Sequence, residues 1–468
     1  MAEKLIKKIH FIGIGGVGMS GIAHVAADQG LIVSGSDLRQ SGYTDQLVDA
    51  GITVHIGHSA QNIATGADEP DVVVVSTAIL DENPELREAR ERGLEIWHRA
   101  KMLAYLGRGL ETLAVAGTHG KTTTSSMLAS VLDSMGYDPT FLIGGIVRAY
   151  GSNAHSGTGR YYVVEADESD KSFTYLSPAA VLITNIEADH LDHYRDLDEI
   201  YEKFTSFISS VPEGTGLAVV CGEDEALVAL ARTCGCRVLT YGFGEENDIC
   251  ITRCEREGVG SVFALRLPDG REISGAIKQN PGVHNVLNGA GVIGLLDALG
   301  YDAQAAADAL AQFAGVKRRF DLKGVSRGVT VVDDYAHHPT EIAATIKAAK
   351  MLDFKRVIVL FQPHRYSRVK LFTEVLHDEF GAAFNDADAV VFMDVFPAGE
   401  SPVPGVNGQT FLDVVLETPG HPDARFIQHR TKVVPYLVDF LEEGDLVITM
   451  GAGDVTAIAP QLVDALRG

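Results

Sequence analysis

The segment Leu113-Ala-Val-Ala-Gly-Thr-His-Gly-Lys-Thr-Thr-Thr124 constrains the fold more than any other part of the chain. Its short apolar run, closed by Gly117, reads as a buried strand, and the pattern from Thr123 to Leu132 reads as a helix. Between them lies a glycine loop, Gly117-Thr118-His119-Gly120-Lys121-Thr122. In such a loop backbone N–H groups converge on phosphate oxygens, and the helix behind it adds the positive end of its dipole. A lysine then meets the β- and γ-phosphates, and the hydroxyl beside it can ligate Mg²⁺. Two residues separate the glycines where a P-loop has four, so this is a shortened variant. ATP is the expected ligand, held by Gly117 through Thr123.

A chain of 468 residues predicts about three domains, each large enough for its own core. The formal net charge of −24 argues against nucleic acid or an anionic membrane as the main partner. An anionic substrate must then be held by local basic residues and helix N-termini. The five cysteines, Cys221, Cys234, Cys236, Cys250 and Cys254, form no CxxC pair and have no histidines at zinc spacing. That pattern predicts free thiols in a reducing compartment. No signal-type apolar region opens the sequence and no run approaches a membrane span, so a cytoplasmic protein is expected, a monomer or weak homodimer.

The first α/β block opens with the strand Lys8 to Ile12 and runs into Gly13-Ile-Gly15-Gly16-Val17-Gly18-Met19-Ser20. Gly13, Gly15 and Gly18 fit GxGxxG, with a helix predicted from Met19 to Gln29. A second strand, Ile32 to Gly35, leads to Asp37, about where a Rossmann fold places a ribose-binding carboxylate. A plain strand-end or helix-capping role is the alternative for Asp37. A third strand, Val72 to Val75, closes at Ser76. Any ligand with a pyrophosphate suits this loop, whether NAD or a UDP-sugar. Arg99 to Gly109 reads as a helix and linker.

After the ATP-type loop, the strand from Tyr161 ends in Glu165-Ala-Asp-Glu-Ser-Asp170, and the strand from Ala180 ends in Asn185-Ile-Glu-Ala-Asp-His190. Ligands of doubly wound sheets gather at the carboxyl ends of strands, so Glu165 and His190 are candidates to hold metal ions bridging ATP phosphates. Residues 217–267 read as short strands with turns, and a helix opens near Pro281. On it Asn285 and Asn288 share a face, for a nucleotide edge or for capping. The last block contains Lys317-Arg-Arg319-Phe, then Asp334-Tyr335-Ala-His337-His-Pro at a strand end and helix entry. It also contains Gln362-Pro-His-Arg365-Tyr-Ser-Arg368 after the next strand. Two arginines three apart suit a carboxylate, because guanidinium is a planar fork.

Together these motifs resemble the Mur ligase family, the ATP-dependent amide-forming enzymes of peptidoglycan precursor synthesis. The resemblance rests on Gly117-Thr-His-Gly-Lys-Thr-Thr, Glu165-Ala-Asp-Glu-Ser-Asp, Asn185-Ile-Glu-Ala-Asp-His-Leu-Asp, His284-Asn285, Arg319-Phe320, Asp334-Tyr-Ala-His-His-Pro-Thr and Gln362-Pro-His-Arg-Tyr-Ser-Arg. It covers essentially the whole chain and is strongest with the branch that joins L-alanine to UDP-N-acetylmuramate through an acyl phosphate. It implies three domains: residues 1–108, Rossmann-like and UDP-binding; 109–318, a P-loop-type ATPase with a parallel sheet; and 319–468, Rossmann-like and amino-acid-binding. It implies UDP binding, not NAD, by Gly15, Gly16, Val17, Gly18, Met19, Ser20, Asp37 and Ser76. ATP would meet Asn285 and Arg319 besides the loop, and Thr122, Glu165 and His190 would hold Mg²⁺. Lys121, Glu165 and His190 would be catalytic. Tyr335, His337, Arg365 and Arg368 would bind L-alanine.

Overall fold

The computed structural model describes residues 6–168, 172–188 and 194–467. Each α/β domain is built on its own sheet, and the chain forms two compact units. The first contains Met1–Cys250, Arg266–Arg271 and Ala290–Ala309; the second contains Ile251–Leu265, Glu272–Gly289 and Leu310–Gly468.

The first unit opens with β1 (Lys8–Ile12), α1 (Val17–Asp28), β2 (Ile32–Asp37), α2 (Gly42–Asp49), β3 (Thr53–Ile56), β4 (Val72–Val75), α3 (Pro84–Glu91), β5 (Glu95–His98) and α4 (Arg99–Leu106). Its sheet has the order β3-β2-β1-β4-β5, with every pair parallel. Strands covered on both faces carry continuous apolar runs, and the four valines of β4 are one. With β1 between β2 and β4, the glycine loop leaves the sheet where the strand order reverses. Asp37 and Ser76 stand at the neighbouring strand ends.

The chain continues through β6 (Glu111–Ala116), α5 (Lys121–Ser134), β7 (Thr140–Val147), β8 (Ser152–His155), β9 (Tyr161–Glu165), β10 (Ala180–Ile183), α6 (Leu197–Ile208), β11 (Leu217–Cys221), α7 (Glu225–Ala231) and β12 (Arg237–Gly242). These strands lie in the order β12-β11-β10-β6-β9-β7-β8, all parallel except β8 on β7. Register sets Val115 beside Glu165 and Ala116 beside Ile183. The ATP-type loop therefore emerges between the ends of β9 and β10.

Next come β13 (Ile249–Glu257), β14 (Gly260–Arg266), β15 (Glu272–Ile277), α8 (Val283–Ala298) and α9 (Ala303–Leu310). The region read as strands from 217 to 267 thus also holds the helix α7, whose N-cap Asp224 accepts from Leu227 N. The second unit finishes with β16 (Asp321–Ser326), β17 (Val329–Asp334), α10 (Pro339–Lys350), β18 (Arg356–Phe361), α11 (His377–Ala382), β19 (Ala389–Phe392), α12 (Gly408–Glu417), β20 (Asp423–Phe426), α13 (Arg430–Phe440), β21 (Asp445–Met450) and α14 (Ile458–Ala465). Its sheet runs β16-β17-β21-β18-β19-β20, with β16 alone antiparallel. Among the described residues no helix is long and apolar enough to cross a membrane.

One buried carboxylate organises the N-terminal sheet. Glu85, at the start of α3, is fully buried and accepts from His10 Nε2 at 2.9 Å, Ser36 Oγ at 2.7 Å, Ser59 N at 3.1 Å and Asn62 Nδ2 at 2.8 Å. Burial pushes its carboxyl up, but these hydrogen bonds outweigh burial and hold it at about 2. A carboxyl held below its ordinary 4.5 contributes stability that is present above that value and lost as pH falls toward 2. Glu85→Ala would leave the donors of β1, β2 and the following loop buried without an acceptor. It is expected to cost about 3–5 kcal/mol at neutral pH. Urea melts of the parent and Glu85→Gln between pH 7 and 3 would check the second consequence: the parent should lose more stability across that range than the variant.

Candidate active site

The loop after β6 is held from the neighbouring strand. Thr118 N donates to Asn185 O at 2.9 Å, His119 N to Asn185 Oδ1 at 2.8 Å, and Thr184 Oγ1 to His119 O at 2.5 Å. Gly117 has φ +132°, and a Cβ there would stand 2.1 Å from Thr184 Oγ1, so only glycine fits. Gly120, at φ 83°, caps α5 without a side chain and leaves the helix N-terminus open. Thr122 and Thr123 are buried in its first turn.

Lys121 folds back over this loop. Its Nζ donates to Gly117 O at 2.6 Å, Thr118 O at 2.9 Å and Glu168 Oε1 at 2.8 Å. Burial disfavours the ammonium, but Glu168, Asp167 and Glu165 outweigh it and hold the Lys121 pKa above its ordinary value. Burial pushes the Glu168 carboxyl up to about 7 despite Lys121. With three carboxylates around one ammonium, the charge on Lys121 is the better secured, and Glu168 takes up the proton first as pH falls.

Thr122 Oγ1 donates to Glu165 Oε1 at 2.9 Å, while Gly144 N donates to Glu165 Oε2 at 2.6 Å. One carboxylate oxygen is thus fixed by backbone and the other faces the hydroxyl. A hydroxyl and a carboxylate are hard oxygen donors, the kind Mg²⁺ takes, so the pair fits that ion. His190 lies outside the described residues.

At the end of β1, Gly15 N donates to Asp37 Oδ2 at 2.9 Å. Asp37 thus braces the glycine loop from the end of β2. Gly16 is the N-cap of α1, followed by Val17 and Gly18. The Met19 side chain is buried in the core, and Ser20 Oγ donates to Val17 O at 3.0 Å. Both side chains are engaged within the domain. Ser76 accepts from Ile79 N at 3.1 Å through its carbonyl in the turn after β4.

The second unit gathers Arg319, Tyr335, His337, Arg365 and Arg368. Phe320 N and Ala336 N donate to Asp334 at 2.7 and 2.8 Å, fixing the loop after β17. His337 packs edge-on to Tyr335, and Arg318 and Arg319 lie over the same ring at 4.7 and 5.3 Å. Arg365 has φ 69°, a conformation rare outside glycine, and its N–H donates to Phe396 O at 2.8 Å. His364 is driven down to about 3 by burial, then by His337, Arg368, Arg365 and Arg318. The guanidinium groups of Arg318, Arg365 and Arg368 near this imidazole are of the kind that suits a carboxylate.

Asn285 Nδ2 donates to Pro281 O at 2.8 Å, and the residue is buried near the start of α8. The sequence reading missed Thr184 and Asn185 as the cradle of the loop, and Glu168 as the partner of Lys121. It gave no role of its own to Gln362, which donates to Asp454 Oδ1 at 2.8 Å and accepts from Val455 N at 2.9 Å. Asn185 and Glu168 could have been found from their places just past strand ends.

The two glycines of the first loop should respond differently to substitution. A Cβ at Gly15 would fall 2.8 Å from Thr44 and 2.9 Å from Asp37, whereas at Gly16 the nearest atom is 3.6 Å away. Gly15→Val is expected to destabilise by about 1–3 kcal/mol through overpacking. Gly16→Val should melt close to the parent, and scanning calorimetry of both variants would check the contrast.

Family models match in three places. "Mur ligase family, catalytic domain" covers residues 8–109, "Mur ligase middle domain" residues 115–296, and "Mur ligase, glutamate ligase domain" residues 318–453. The chain is 44% identical to the UDP-N-acetylmuramate–L-alanine ligase of Geotalea daltonii, over 99% of this chain and 98% of that protein. It is 45% identical to the enzyme of the same name from Thermobifida fusca, over 98% and 96%. Among solved structures it is similar to the UDP-N-acetylmuramate-alanine ligase of Thermotoga maritima, with TM-score 0.80, 32% identity and 98% of each chain covered. A murein peptide ligase from Psychrobacter arcticus aligns over 99% of each chain, with TM-score 0.72 and 25% identity. On three matched regions and near-complete relatives, the chain belongs to the Mur ligase family.

Proposed function

We propose that the protein joins L-alanine to UDP-N-acetylmuramate at the expense of ATP, giving UDP-N-acetylmuramoyl-L-alanine, ADP and phosphate. The observation that carries this reading is the cluster of Lys121, Thr122, Glu165 and an open helix N-terminus around one glycine loop. The names of relatives 44–45% identical over nearly their whole length support the choice of substrates. The matching division of labour is UDP binding by residues 1–108, ATP binding by 109–318 and amino-acid binding by 319–468.

A carboxylate does not condense with an amine in water until one oxygen becomes a good leaving group. In the proposed reaction the lactyl carboxylate oxygen attacks the γ-phosphorus of ATP. The bond from that phosphorus to the β,γ-bridging oxygen breaks, and ADP departs. The neutral amine of L-alanine then attacks the acyl carbon of the acyl phosphate. The acyl C–O bond breaks, phosphate leaves, and the amine proton passes to solvent.

The reacting groups repel one another: two unit charges 4 Å apart cost roughly 4 kcal/mol at an effective dielectric near 20. Lys121 and the loop N–H groups would offset that repulsion and stabilise the in-line transfer. Thr122 and Glu165 would hold Mg²⁺, which neutralises phosphate charge when bound; His190 is the family's candidate for a second ion. Asn285 and Arg319 would contact the nucleotide. Arg365 and Arg368, with Tyr335 and His337, would grip the alanine carboxylate, in keeping with the arginines that, after burial, help to lower His364.

Lys121→Ala should lower turnover at least about a hundredfold, the usual loss when a stabiliser of developing charge is removed. Single-turnover phosphate release would measure it, and near-normal rates would remove Lys121 from the mechanism. Arg365→Ala and Arg368→Ala should each raise KM for L-alanine about tenfold or more with KM for ATP little changed. The double variant should lose less than the sum, because both side chains grip one carboxylate. The full-length likeness to the murein peptide ligase favours a second reading, in which the acceptor is a muropeptide. Parallel assays with L-alanine and L-alanyl-γ-D-glutamyl-meso-diaminopimelate decide between them: preference for the tripeptide would overturn the alanine assignment.

A further inference from the structure

The ATP-type loop after β6 is held by a segment that is itself held from its far side. That segment, Thr184 to Glu187, leaves β10 alongside the loop. Thr184 N donates to Ala116 O at 3.0 Å, and Thr118 N donates to Asn185 O at 2.9 Å. His119 N donates to Asn185 Oδ1 at 2.8 Å, and Glu187 N to Thr118 Oγ1 at 2.8 Å. The amide between Asn185 and Glu187 goes elsewhere: Ile186 N donates to Asp224 Oδ2 at 3.1 Å. The other oxygen of that carboxylate, Oδ1, accepts from Leu227 N at 2.9 Å as the N-cap of α7. The Ile186 side chain is buried in the domain core, so packing pins its side chain while the carboxylate pins its amide.

β11, β10 and β6 are consecutive in the sheet. Bracing therefore passes across three strand ends: Asp224, just past β11, holds the segment after β10, and that segment holds the loop after β6. An ionised carboxylate makes both of its bonds charge-assisted, which suits a fixed support better than a neutral acceptor would. We propose that Asp224 is a positioning residue for nucleotide binding, acting through Ile186 to keep Asn185 and Glu187 against the loop and the loop in its phosphate-receiving shape. The inference rests on the proposed ATP reading of that loop and adds to it a residue from beyond the neighbouring strand.

The two oxygens of Asp224 allow this role to be separated from plain capping of α7. Asp224→Ser keeps a good N-cap, but its single short hydroxyl gives up Ile186. Asp224→Asn keeps the shape and leaves one oxygen for two N–H groups. The full-length parent and both variants are titrated calorimetrically with ATP in the presence of Mg²⁺ and with UDP-N-acetylmuramate. Asp224→Ser should bind ATP about fivefold more weakly or worse, Asp224→Asn should fall between it and the parent, and affinity for UDP-N-acetylmuramate should hold. Combined with Asn185→Ala, Asp224→Ser should cost less ATP affinity than the sum of the single losses, because both act on one segment. Parent-like ATP affinity in Asp224→Ser, equal losses for the two ligands, or fully additive losses with Asn185→Ala would overturn the proposal and leave Asp224 a helix cap. If Asp224→Ser does not fold, Asp224→Asn carries the same comparisons with the same outcomes. Failure of the parent itself to bind ATP would instead overturn the reading of the loop beneath it.

Discussion

Everything at the candidate active site depends on how a buried ammonium is kept in place at the carboxyl edge of β6. Lys121 could not stay charged there without compensation, and the fold supplies it from two backbone carbonyls of its own loop and from Glu168. The same arrangement dictates the glycines, since Gly117 must pass against Thr184 and Gly120 must adopt a left-handed φ. It also dictates the sheet order. With β6 between β9 and β10, Glu165 and Asn185 arrive beside the loop from opposite sides. Phosphate oxygens entering the loop would compete with Glu168 for the ammonium, and Glu168, already pushed up to about 7 by burial, is a partner readily given up by protonation.

The three sheets repeat one physical solution. In each, a functional segment leaves a strand with a parallel neighbour, where converging N–H groups and strand-end side chains meet solvent. The Asp37 brace on Gly15, the Asn185 brace on His119 and the Gln362 brace on Val455 do equivalent jobs in different sheets. Each is a polar side chain at a strand end that stiffens the loop of its neighbour. The strongly acidic chain then needs few cations, provided they are local. Arg318, Arg365 and Arg368 supply them around His364.

Much of this was legible in the sequence because parallel, doubly covered strands need unbroken apolar runs and tight glycine exits. β1, β4, β6 and β9 announced themselves that way, and so did the loops that follow β1 and β6. The helix α7 was hidden because it is short and its Asp224 cap sits in an acidic turn. Asn285 was ambiguous for a reason of its own: an amide near a helix start competes locally for backbone carbonyls, and Pro281 O is what it binds. Glu85 was illegible. In Asn83-Pro-Glu-Leu-Arg-Glu it looks like one charge of a solvated helix, and only the chain brought back from His10, Ser36 and Asn62 makes it buried.

The central claim is that the substrate carboxylate is activated by phosphorylation at the Lys121 loop, and isotope transfer tests it most directly. UDP-N-acetylmuramate carrying ¹⁸O in its lactyl carboxylate would be turned over with unlabelled ATP and L-alanine, and the released nucleotide and phosphate analysed by mass spectrometry. An acyl phosphate passes one carboxylate oxygen to phosphorus, so inorganic phosphate should carry one ¹⁸O per turnover and ADP none. Label appearing in AMP, or phosphate released without label, would contradict the account.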